Sequence, residues 1–253
     1  PRSSYPPAAP TSSPAARINS PSHCASAKYA YSPGMKLVAL SALFSTLAFG
    51  LASCEPDRGQ ARPEATNMKK EATDAKKIPE GAETITLGGG CFWCVEAVYQ
   101  QLDGVHSAVS GFMGGFVPNP TYEQVCEKTT GHVEVVQLVF DPKKISSQDI
   151  LAWFWDLHDP TTLNRQGADE GPQYASVVFF HSDEQKKAAE KSMQEAKALF
   201  KSPIVTRIEK AKEFYKAEDI HQNFYFLNRQ KNRYCRLVIE PKLKKLKLKT
   251  GAE

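Results

Sequence analysis

One short segment constrains the fold more than any other part of this chain. Thr84–Leu87 has the pattern of a short strand, and Gly88-Gly89-Gly90 follows with the small residues of a tight turn. Cys91-Phe92-Trp93-Cys94 comes next, and from Val95 onward apolar residues recur at the spacing of one helix face. We therefore predict a strand, a glycine turn and a helix, with Cys91 at the N-terminus of that helix.

This position predicts a chemical role for Cys91. The first N–H groups of a helix lack intrahelical partners, and the macrodipole there favours negative charge. A thiol in such a place has its pKa lowered from about 8.5 to roughly 3.5–7.5, so more of it is the nucleophilic thiolate at neutral pH. The sequence thus predicts Cys91 as a nucleophile. Cys126, next to Val125, is interpreted as a small buried apolar residue.

The composition narrows the class of protein. The 253 residues are enough for one sizeable core with tails, or for two small domains. A net charge of +4 and the lack of basic residues interleaved with aromatic ones argue against a nucleic-acid partner. Six scattered cysteines are too few for a disulfide scaffold, but they suit one or two redox or metal-binding thiols. The three successive glycines lack the longer glycine spacing of nucleotide-binding loops.

The first third of the chain is not expected to belong to the folded domain. Residues 1–34 are rich in Pro, Ser and Ala, which predicts disorder or a position upstream of the true start of translation. Residues 35–54 combine a basic end with an apolar run that is short for a membrane span, as in a secretory signal. Residues 55–82 are polar and charged, which predicts a flexible tether.

The predicted signal ends in a motif of its own. Leu51-Ala52-Ser53-Cys54 resembles a bacterial lipoprotein box, in which Cys54 would become the lipidated first residue. Multiple acyl chains make such an anchor stable. We therefore expect an exported protein, a periplasmic or cell-envelope lipoprotein of a bacterium that contacts the membrane through its lipid. A simple cleaved signal, with Cys54 incidental, is the alternative.

Residues 83–249 alternate between strand-like and helix-like patterns. Strands are predicted at Val105–Gly111, His132–Phe140, Tyr174–Phe180 and Ile204–Glu209, and helices at Ser146–Leu157 and from about 183 to 199. This order predicts an α+β fold: a single α/β domain with a mixed central sheet, a ferredoxin-like core and long ordered loops. The loops Gly114–Thr130 and His158–Gln173 are expected to carry the site. The basic run Lys242–Lys249 is interpreted as a solvated tail.

Several motifs in one order carry a family resemblance. They are Gly89 to Trp93, Asn119 to Cys126, Gly131 to Val136, His158 to Asp169 with Gln173-Tyr174, and Tyr234-Cys235 ahead of Val238-Ile239. Together these segments resemble peptide methionine sulfoxide reductase of the A type over almost the whole domain. The chain departs from the family pattern at Pro172 and Ala175, neither of which is a proposed catalytic group.

The resemblance implies reduction of the S epimer of methionine sulfoxide in oxidised proteins, in peptides and as the free amino acid, because repair is divided between one enzyme per epimer. It implies that Cys91 attacks the sulfoxide sulfur and becomes a sulfenic acid, while Glu134 protonates the departing oxygen. The implied substrate-binding residues are Phe92 and Trp93 around the S-methyl group, Tyr122 and Tyr174 as hydroxyl donors to the oxygen, and Asp169 as an orienting group. Without the resemblance, Glu134 could equally face solvent, and the two tyrosines could be ordinary core residues.

The sulfenic acid must then be reduced. Cys94 replaces the glycine often found after Phe-Trp in this family, and it lies three residues from Cys91 on a predicted helical turn, within the reach of a disulfide. Cys235 is the other candidate, because the resemblance implies a resolving cysteine near the C-terminus. The two stay open, including their acting in sequence. Thioredoxin or an equivalent dithiol protein is the expected electron donor. We expect no bound cofactor, no metal and a monomer.

Two other classes of function remain to be tested. A Cys-x-x-Cys beside a strand is also found in thiol–disulfide oxidoreductases. A zinc module could use Cys91, Cys94, Cys126 and Cys235, although the second pair lacks close spacing. Of the histidines, His132, His158 and His221 are expected to have packing and hydrogen-bonding roles.

Overall fold

A computed structural model describes residues 78–248 and residue 250 of the protein. The segments 1–34 and 35–54, with Cys54, and nearly all of the tether 55–82 lie outside the described residues. Their predicted roles therefore stay predictions. Between residues 78 and 248, no helix has the combination of length and apolar character that crossing a bilayer requires.

The described strands and helices follow the predicted alternation. The strands are β1 (Glu83–Gly89), β2 (Val105–Met113), β3 (Val133–Phe140), β4 (Arg165–Gln166), β5 (Asp169–Glu170), β6 (Ser176–Phe180), β7 (Arg207–Lys210) and β8 (Tyr215–Lys216). The α-helices are α1 (Phe92–Tyr99), α2 (Tyr122–Cys126), α3 (Ser147–Leu157), α4 (Asp183–Ala196), α5 (Phe224–Asn228) and α6 (Glu240–Lys245). Short 3-10 helices occur at Pro172–Tyr174, Lys197–Leu199 and Asp219–His221, and a π-helix at Cys235–Ile239.

A mixed sheet forms the centre of the domain, with the strand order β7-β6-β1-β3-β2-β8. Strand β1 is antiparallel to both β3 and β6, and β3 is antiparallel to β2, whereas β6 and β7 are parallel. Helix α1 packs against β2 and β3, while α3 packs against β1 and α4. This architecture confirms the predicted single α/β domain with a mixed central sheet.

Local signals explain where the longer helices begin. Ser146 caps α3 by accepting a hydrogen bond from the Asp149 N–H, and the Asp149 side chain in turn accepts from the Ser146 N–H. Ser182 caps α4 by accepting from the Gln185 N–H. These caps place both helix starts within one residue of their predicted positions.

Several predicted features differ from the structure. The loop Gly114–Thr130 contains helix α2, and the loop His158–Gln173 contains the β4–β5 hairpin. The interpretation of Lys242–Lys249 as a solvated tail was wrong for its first part, because Lys242–Lys245 belong to α6 and Leu243 is fully buried. Ile239 and Leu243 lie four residues apart on one buried helix face, so packing holds this basic segment on the domain.

Candidate active site

The turn between β1 and α1 has the predicted geometry. Gly90 has a left-handed φ of 88°, and a Cβ there would lie 2.6 Å from the Cβ of Gln166, so both conformation and space require glycine. Cys91 is the N-cap of α1, and its carbonyl accepts a hydrogen bond of 3.0 Å from the Cys94 N–H. The strand, turn and helix therefore hold the Cys91 sulfur at a fixed place at one end of the sheet.

The pKa values of Cys91 and Cys94 differ from the prediction. Burial raises the pKa of the Cys91 thiol, and its hydrogen bond with Cys94 and the nearby charges of Glu134 and Asp169 raise it further. The pKa of Cys94 is lowered to about 7, first by that hydrogen bond from Cys91 and then, against desolvation, by the charge of Lys242. The expected thiolate at Cys91 was therefore wrong for the substrate-free protein. Desolvation outweighs the helix N-terminus at this position, and Cys94 holds the more acidic thiol.

Glu134 lies inside the protein, next to the nucleophile. Its side chain is fully buried, and its Oε2 accepts a hydrogen bond of 3.1 Å from the Phe92 N–H at the start of α1. Glu134 lies on the same side of β3 as Val136 and Leu138, which pack in one core with the residues of α1. An outward-facing, solvated Glu134 is excluded.

Aromatic rings form one wall of the site. The Trp93 ring stacks on Phe224 with centroids 3.5 Å apart and on His221 at 5.7 Å. His221 in turn lies 4.3 Å from the Tyr122 ring, and Phe92 lies 5.6 Å from His221. The structure thus brings the predicted Phe92, Trp93 and Tyr122 together. His221 and Phe224 also belong to this wall, and they were not predicted from the sequence because neither lies in a motif with an assigned role.

Two buried phenols face the same acidic groups. The pKa values of Tyr122 and Tyr174 are both raised, mainly by burial and then by the charge of Glu134, with smaller contributions from Cys91 and Asp169. Both hydroxyls are consequently protonated and can donate hydrogen bonds throughout the physiological pH range. The structure therefore assembles these predicted residues into one cluster around Glu134.

Asp169 positions a tyrosine that the sequence analysis did not select. It lies in β5, where the hairpin pairs it with Gln166, and its Oδ2 accepts a hydrogen bond of 2.6 Å from the Tyr234 hydroxyl. The same hydroxyl lies 3.9 Å from the Cys94 sulfur. Asp169 therefore orients the side of the site that holds Cys94. The adjacency of Tyr234 to Cys235 in the sequence was the available signal.

The cysteines in the described part of the chain are either free thiols or disulfide-bonded. Cys91, Cys94 and Cys235 are thiols, and Cys235 is fully buried with its pKa raised to about 12 by burial and by the nearby charge of Cys94. Cys126 is half-buried and packs against the main hydrophobic core, as its interpretation as a small apolar residue predicts, and its sulfur is disulfide-bonded. Since its sulfur is already bonded, the four-cysteine zinc site cannot form. Among residues 78–248, no three His, Cys, Asp or Glu side chains group as metal ligands.

His158 links the site loop to the sheet. Its Nδ1 donates to the Phe154 carbonyl at 2.7 Å, so its Nε2 accepts from the Ser176 hydroxyl at 2.7 Å. Ser176 pairs with Gly89 in the sheet, and burial lowers the pKa of His158 to about 4. A neutral, tautomerically fixed histidine thus anchors the loop beneath the nucleophile turn, in agreement with its predicted structural role.

Glu96 holds one residue of the aromatic wall in place through hydrogen bonds to its backbone. Its buried carboxyl accepts hydrogen bonds from the Asn223 N–H at 2.9 Å and the Phe224 N–H at 3.3 Å, at the start of α5. Desolvation by burial raises the pKa of Glu96 from 4.5 to about 7. Phe224 stacks on Trp93, so this carboxyl fixes the ring that covers Trp93.

We expect Glu96 to make stability depend on pH. Between pH 4.5 and 7 the folded state keeps a proton on Glu96 that the unfolded state has lost, so stability falls as pH rises through this range. Each pKa unit corresponds to 1.36 kcal/mol, which gives a loss of about 3 kcal/mol by pH 8. Urea unfolding measures this at pH 5 to 8. The Glu96→Gln variant should have a lower free energy of unfolding than the unaltered protein at pH 5, and that free energy should fall less steeply as the pH rises. Glu190→Gln, at an exposed position of α4, is the control; a Glu96→Gln decline parallel to that of the unaltered protein would contradict the assignment.

Known proteins match the chain over this domain. Residues 83–253 match the family model described as peptide methionine sulfoxide reductase. The peptide methionine sulfoxide reductase MsrA of Leptospira borgpetersenii is 58% identical over 169 residues, which cover 67% of this chain and 95% of that protein. The MsrA of Saccharolobus solfataricus is 53% identical over 163 residues, covering 64% of this chain and 92% of that protein.

Solved structures agree with the sequence matches. Reduced Mxr1 from Saccharomyces cerevisiae matches with a TM-score of 0.58 and 35% identity, covering 62% of this chain and 93% of that one. Methionine sulfoxide reductase A of Corynebacterium diphtheriae matches with a TM-score of 0.55 and 33% identity, covering 60% of this chain and 77% of that one.

Proposed function

Because this chain belongs to the peptide methionine sulfoxide reductase family, we propose that Cys91 takes the sulfoxide oxygen, that Glu134 protonates it, and that two tyrosines bind it. The enzyme reduces the S epimer of methionine sulfoxide, peptide-bound or free, to methionine, and so repairs oxidised proteins. Family membership confirms the predicted resemblance. It argues against a thiol–disulfide oxidoreductase that does not act on sulfoxides.

The assignment of roles rests on one observation: a carboxyl and two phenols lie around the sulfur of Cys91. A helix-capping thiol, a fully buried carboxyl on the adjacent N–H and two buried phenols meet where β1, β3 and α1 converge. A nucleophile, an acid and neutral donors are the set that oxygen transfer from a sulfoxide needs.

The transfer balances without an added proton. Tyr122 and Tyr174 donate hydrogen bonds to the sulfoxide oxygen, which polarises the S–O bond and makes the sulfur electrophilic. Glu134 takes the proton of the Cys91 thiol and passes it to that oxygen as the Cys91 sulfur attacks, so the carboxyl ends the step as it began. The S–O bond of the substrate breaks, a new S–O bond forms on Cys91, and methionine leaves. A protonated Cys91 in the resting enzyme is consistent with this sequence.

The aromatic wall selects the substrate's methyl group. Phe92 and Trp93 present apolar ring surface beside Cys91, and sulfur and methyl groups make favourable contacts with aromatic edges and faces. To bind, a chiral sulfoxide must accept the tyrosine hydrogen bonds with its oxygen and, in the same orientation, pack its methyl group against this wall. Only one epimer does so while its sulfur faces Cys91.

We further propose that Cys94 resolves the sulfenic acid before Cys235 acts. Cys94 already hydrogen-bonds Cys91 and has the lower pKa, about 7, so its sulfur can attack the sulfenic sulfur. The proton that Cys94 gives up leaves with the hydroxyl group of the sulfenic acid as water. Cys235 lies close enough to Cys94 to sense its charge, and α1 packs against the π-helix that begins at Cys235. Attack by Cys235 on Cys94 then returns Cys91 to the thiol and leaves a Cys94–Cys235 disulfide.

The electron donor and location are also proposals. A thioredoxin-type dithiol protein would reduce the final disulfide by exchange, with no bound cofactor. Export as a lipoprotein anchored at Cys54 is supported by the signal-like pattern of residues 35–54 and by the lipoprotein-box motif in which that segment ends. Fractionation of cells that express Cys54→Ala tests the anchor: retention in the membrane fraction would contradict it.

A single-turnover experiment tests the function. The reduced protein, incubated without a reductant, should convert about one equivalent of the S epimer of a sulfoxide peptide and none of the R epimer. Chromatographic separation of the two epimers and methionine measures this directly. Equal conversion of both epimers, or of neither, would contradict the proposed site.

A further inference from the structure

A cavity opens on the surface near the active-site turn. It has a volume of about 650 Å³ and lies between the end of α3, the 199–202 segment and the start of α6. Cys91, Glu134 and the two site tyrosines are not among its lining residues, so the proposed catalytic groups do not form this cavity. Gln166 lines the cavity and packs against Gly90, so it connects this surface to the turn that holds Cys91.

The lining of the cavity combines apolar surface with positive charge. Leu199 is 69% exposed at its edge, and Phe200 and Pro241 continue the apolar surface. The charged residues of the lining are Lys201, Lys242, Lys245 and Asp159. Three lysines against the single carboxylate of Asp159, which accepts hydrogen bonds from the Thr161 N–H and hydroxyl at 2.9 and 2.6 Å, leave the lining with a net positive charge.

The cavity also lies next to the recycling cysteines. The π-helix that begins at Cys235 continues directly into α6, whose Pro241 and Lys242 form one wall of the cavity. Cys94 and Cys235 are 2% and 0% exposed. A protein reductant therefore has to dock on neighbouring surface, and the segment that covers the two sulfurs has to move, before exchange can occur.

We propose that this cavity, which we call the lysine-rimmed cavity, is the docking surface for the dithiol protein that reduces the Cys94–Cys235 disulfide. The proposal rests on the recycling pathway proposed above. The partner places apolar surface from around its own reactive cysteine against Leu199 and Phe200, and carboxylates against the lysines. Charge complementarity of this kind steers association and sets orientation.

The partner's two thiols supply the two electrons that reduce the Cys94–Cys235 disulfide. Its thiolate attacks the Cys235 sulfur and expels Cys94, which is the better leaving group because the lower-pKa thiol leaves faster. The partner's second thiol then closes the partner's own disulfide and releases Cys235. Both cysteines end as thiols, and the partner is oxidised by two electrons.

A double variant, Leu199→Ser with Lys201→Glu, tests the docking surface. Both side chains are exposed and neither belongs to the proposed catalytic groups. Steady-state turnover is measured with a bacterial thioredoxin, thioredoxin reductase and NADPH, and separately with dithiothreitol. We expect the KM for thioredoxin to rise by about tenfold, with the dithiothreitol-supported rate unchanged, because loss of steering charge and apolar contact affects only a protein partner.

The controls separate the alternatives. Lys187→Glu reverses an exposed charge on α4 and should leave both rates unchanged. An unchanged thioredoxin KM in the double variant would overturn the docking surface. So would a raised KM for the sulfoxide peptide with dithiothreitol, since the cavity would then bind substrate. Failure of the proposed function would look different: the unaltered protein itself would lack dithiothreitol-supported reduction.

Discussion

Replacement of Cys91 by serine should abolish sulfoxide reduction, including the first stoichiometric turnover. The serine hydroxyl keeps the size and the helix-capping position of Cys91, but oxygen cannot accept the sulfoxide oxygen to form a sulfenic acid. Loss of an enzyme's nucleophile costs on the order of 10⁶-fold in rate, so no methionine above background is expected. Rapid mixing of the reduced variant with an S-sulfoxide peptide, followed by chromatography, measures the effect.

The other two thiols provide matched controls for this result. Cys94→Ser and Cys235→Ser should each form one equivalent of methionine, because neither sulfur attacks the substrate. Cys94→Ser should then accumulate the Cys91 sulfenic acid, seen as the mass of one added oxygen, whereas Cys235→Ser should accumulate the Cys91–Cys94 disulfide. Sulfenic acid in Cys235→Ser, with Cys94 still a thiol, would reverse the proposed order. Methionine formation by Cys91→Ser would refute the nucleophile itself.

The position of Cys91 was predictable because its determinants are local. Three glycines after a short strand, a left-handed Gly90 and a helical pattern from Val95 fix the turn without distant contacts. The acidity of Cys91 was not predictable by the same route. Its pKa depends on burial and on Glu134 and Asp169, which are 43 and 78 residues away in the chain and arrive only through the sheet and the β4–β5 hairpin.

Family resemblance was needed where the local pattern was ambiguous. The run around Glu134 alternates with valines and allows either face, and only the packing of α1 on one side of β3 buries the carboxyl. The C-terminal segment shows the opposite case. Its lysines predicted a segment exposed to solvent. Ile239 and Leu243, however, lie four residues apart, at helical spacing, and are both fully buried. The short helix α5, which brings Phe224 onto Trp93, has too few residues for a periodic signal.

Glu134→Gln should lower the single-turnover rate by about 10²–10⁴-fold, the range that a positioned general acid contributes. Glutamine has nearly the same shape, and its amide oxygen can still accept the hydrogen bond from the Phe92 N–H, so the turn that holds Cys91 should keep its geometry. What is lost is the proton for the departing oxygen. We therefore expect kcat to fall while the KM for the sulfoxide changes little.

Glu123→Gln is the matched control for this change. Glu123 is an exposed acid in the same helix as Tyr122, so its replacement removes one negative charge near the site without removing a buried acid. Its rate should stay within about twofold of the unaltered enzyme, as for most exposed substitutions. If Glu134→Gln behaved in the same way, the proton would have to come from Tyr122, Tyr174 or solvent, and the buried carboxyl would serve only to hold the N-terminus of α1. A fall confined to Glu134→Gln instead makes the carboxyl the proton donor to the departing oxygen, because the retained Phe92 hydrogen bond separates positioning from acid catalysis.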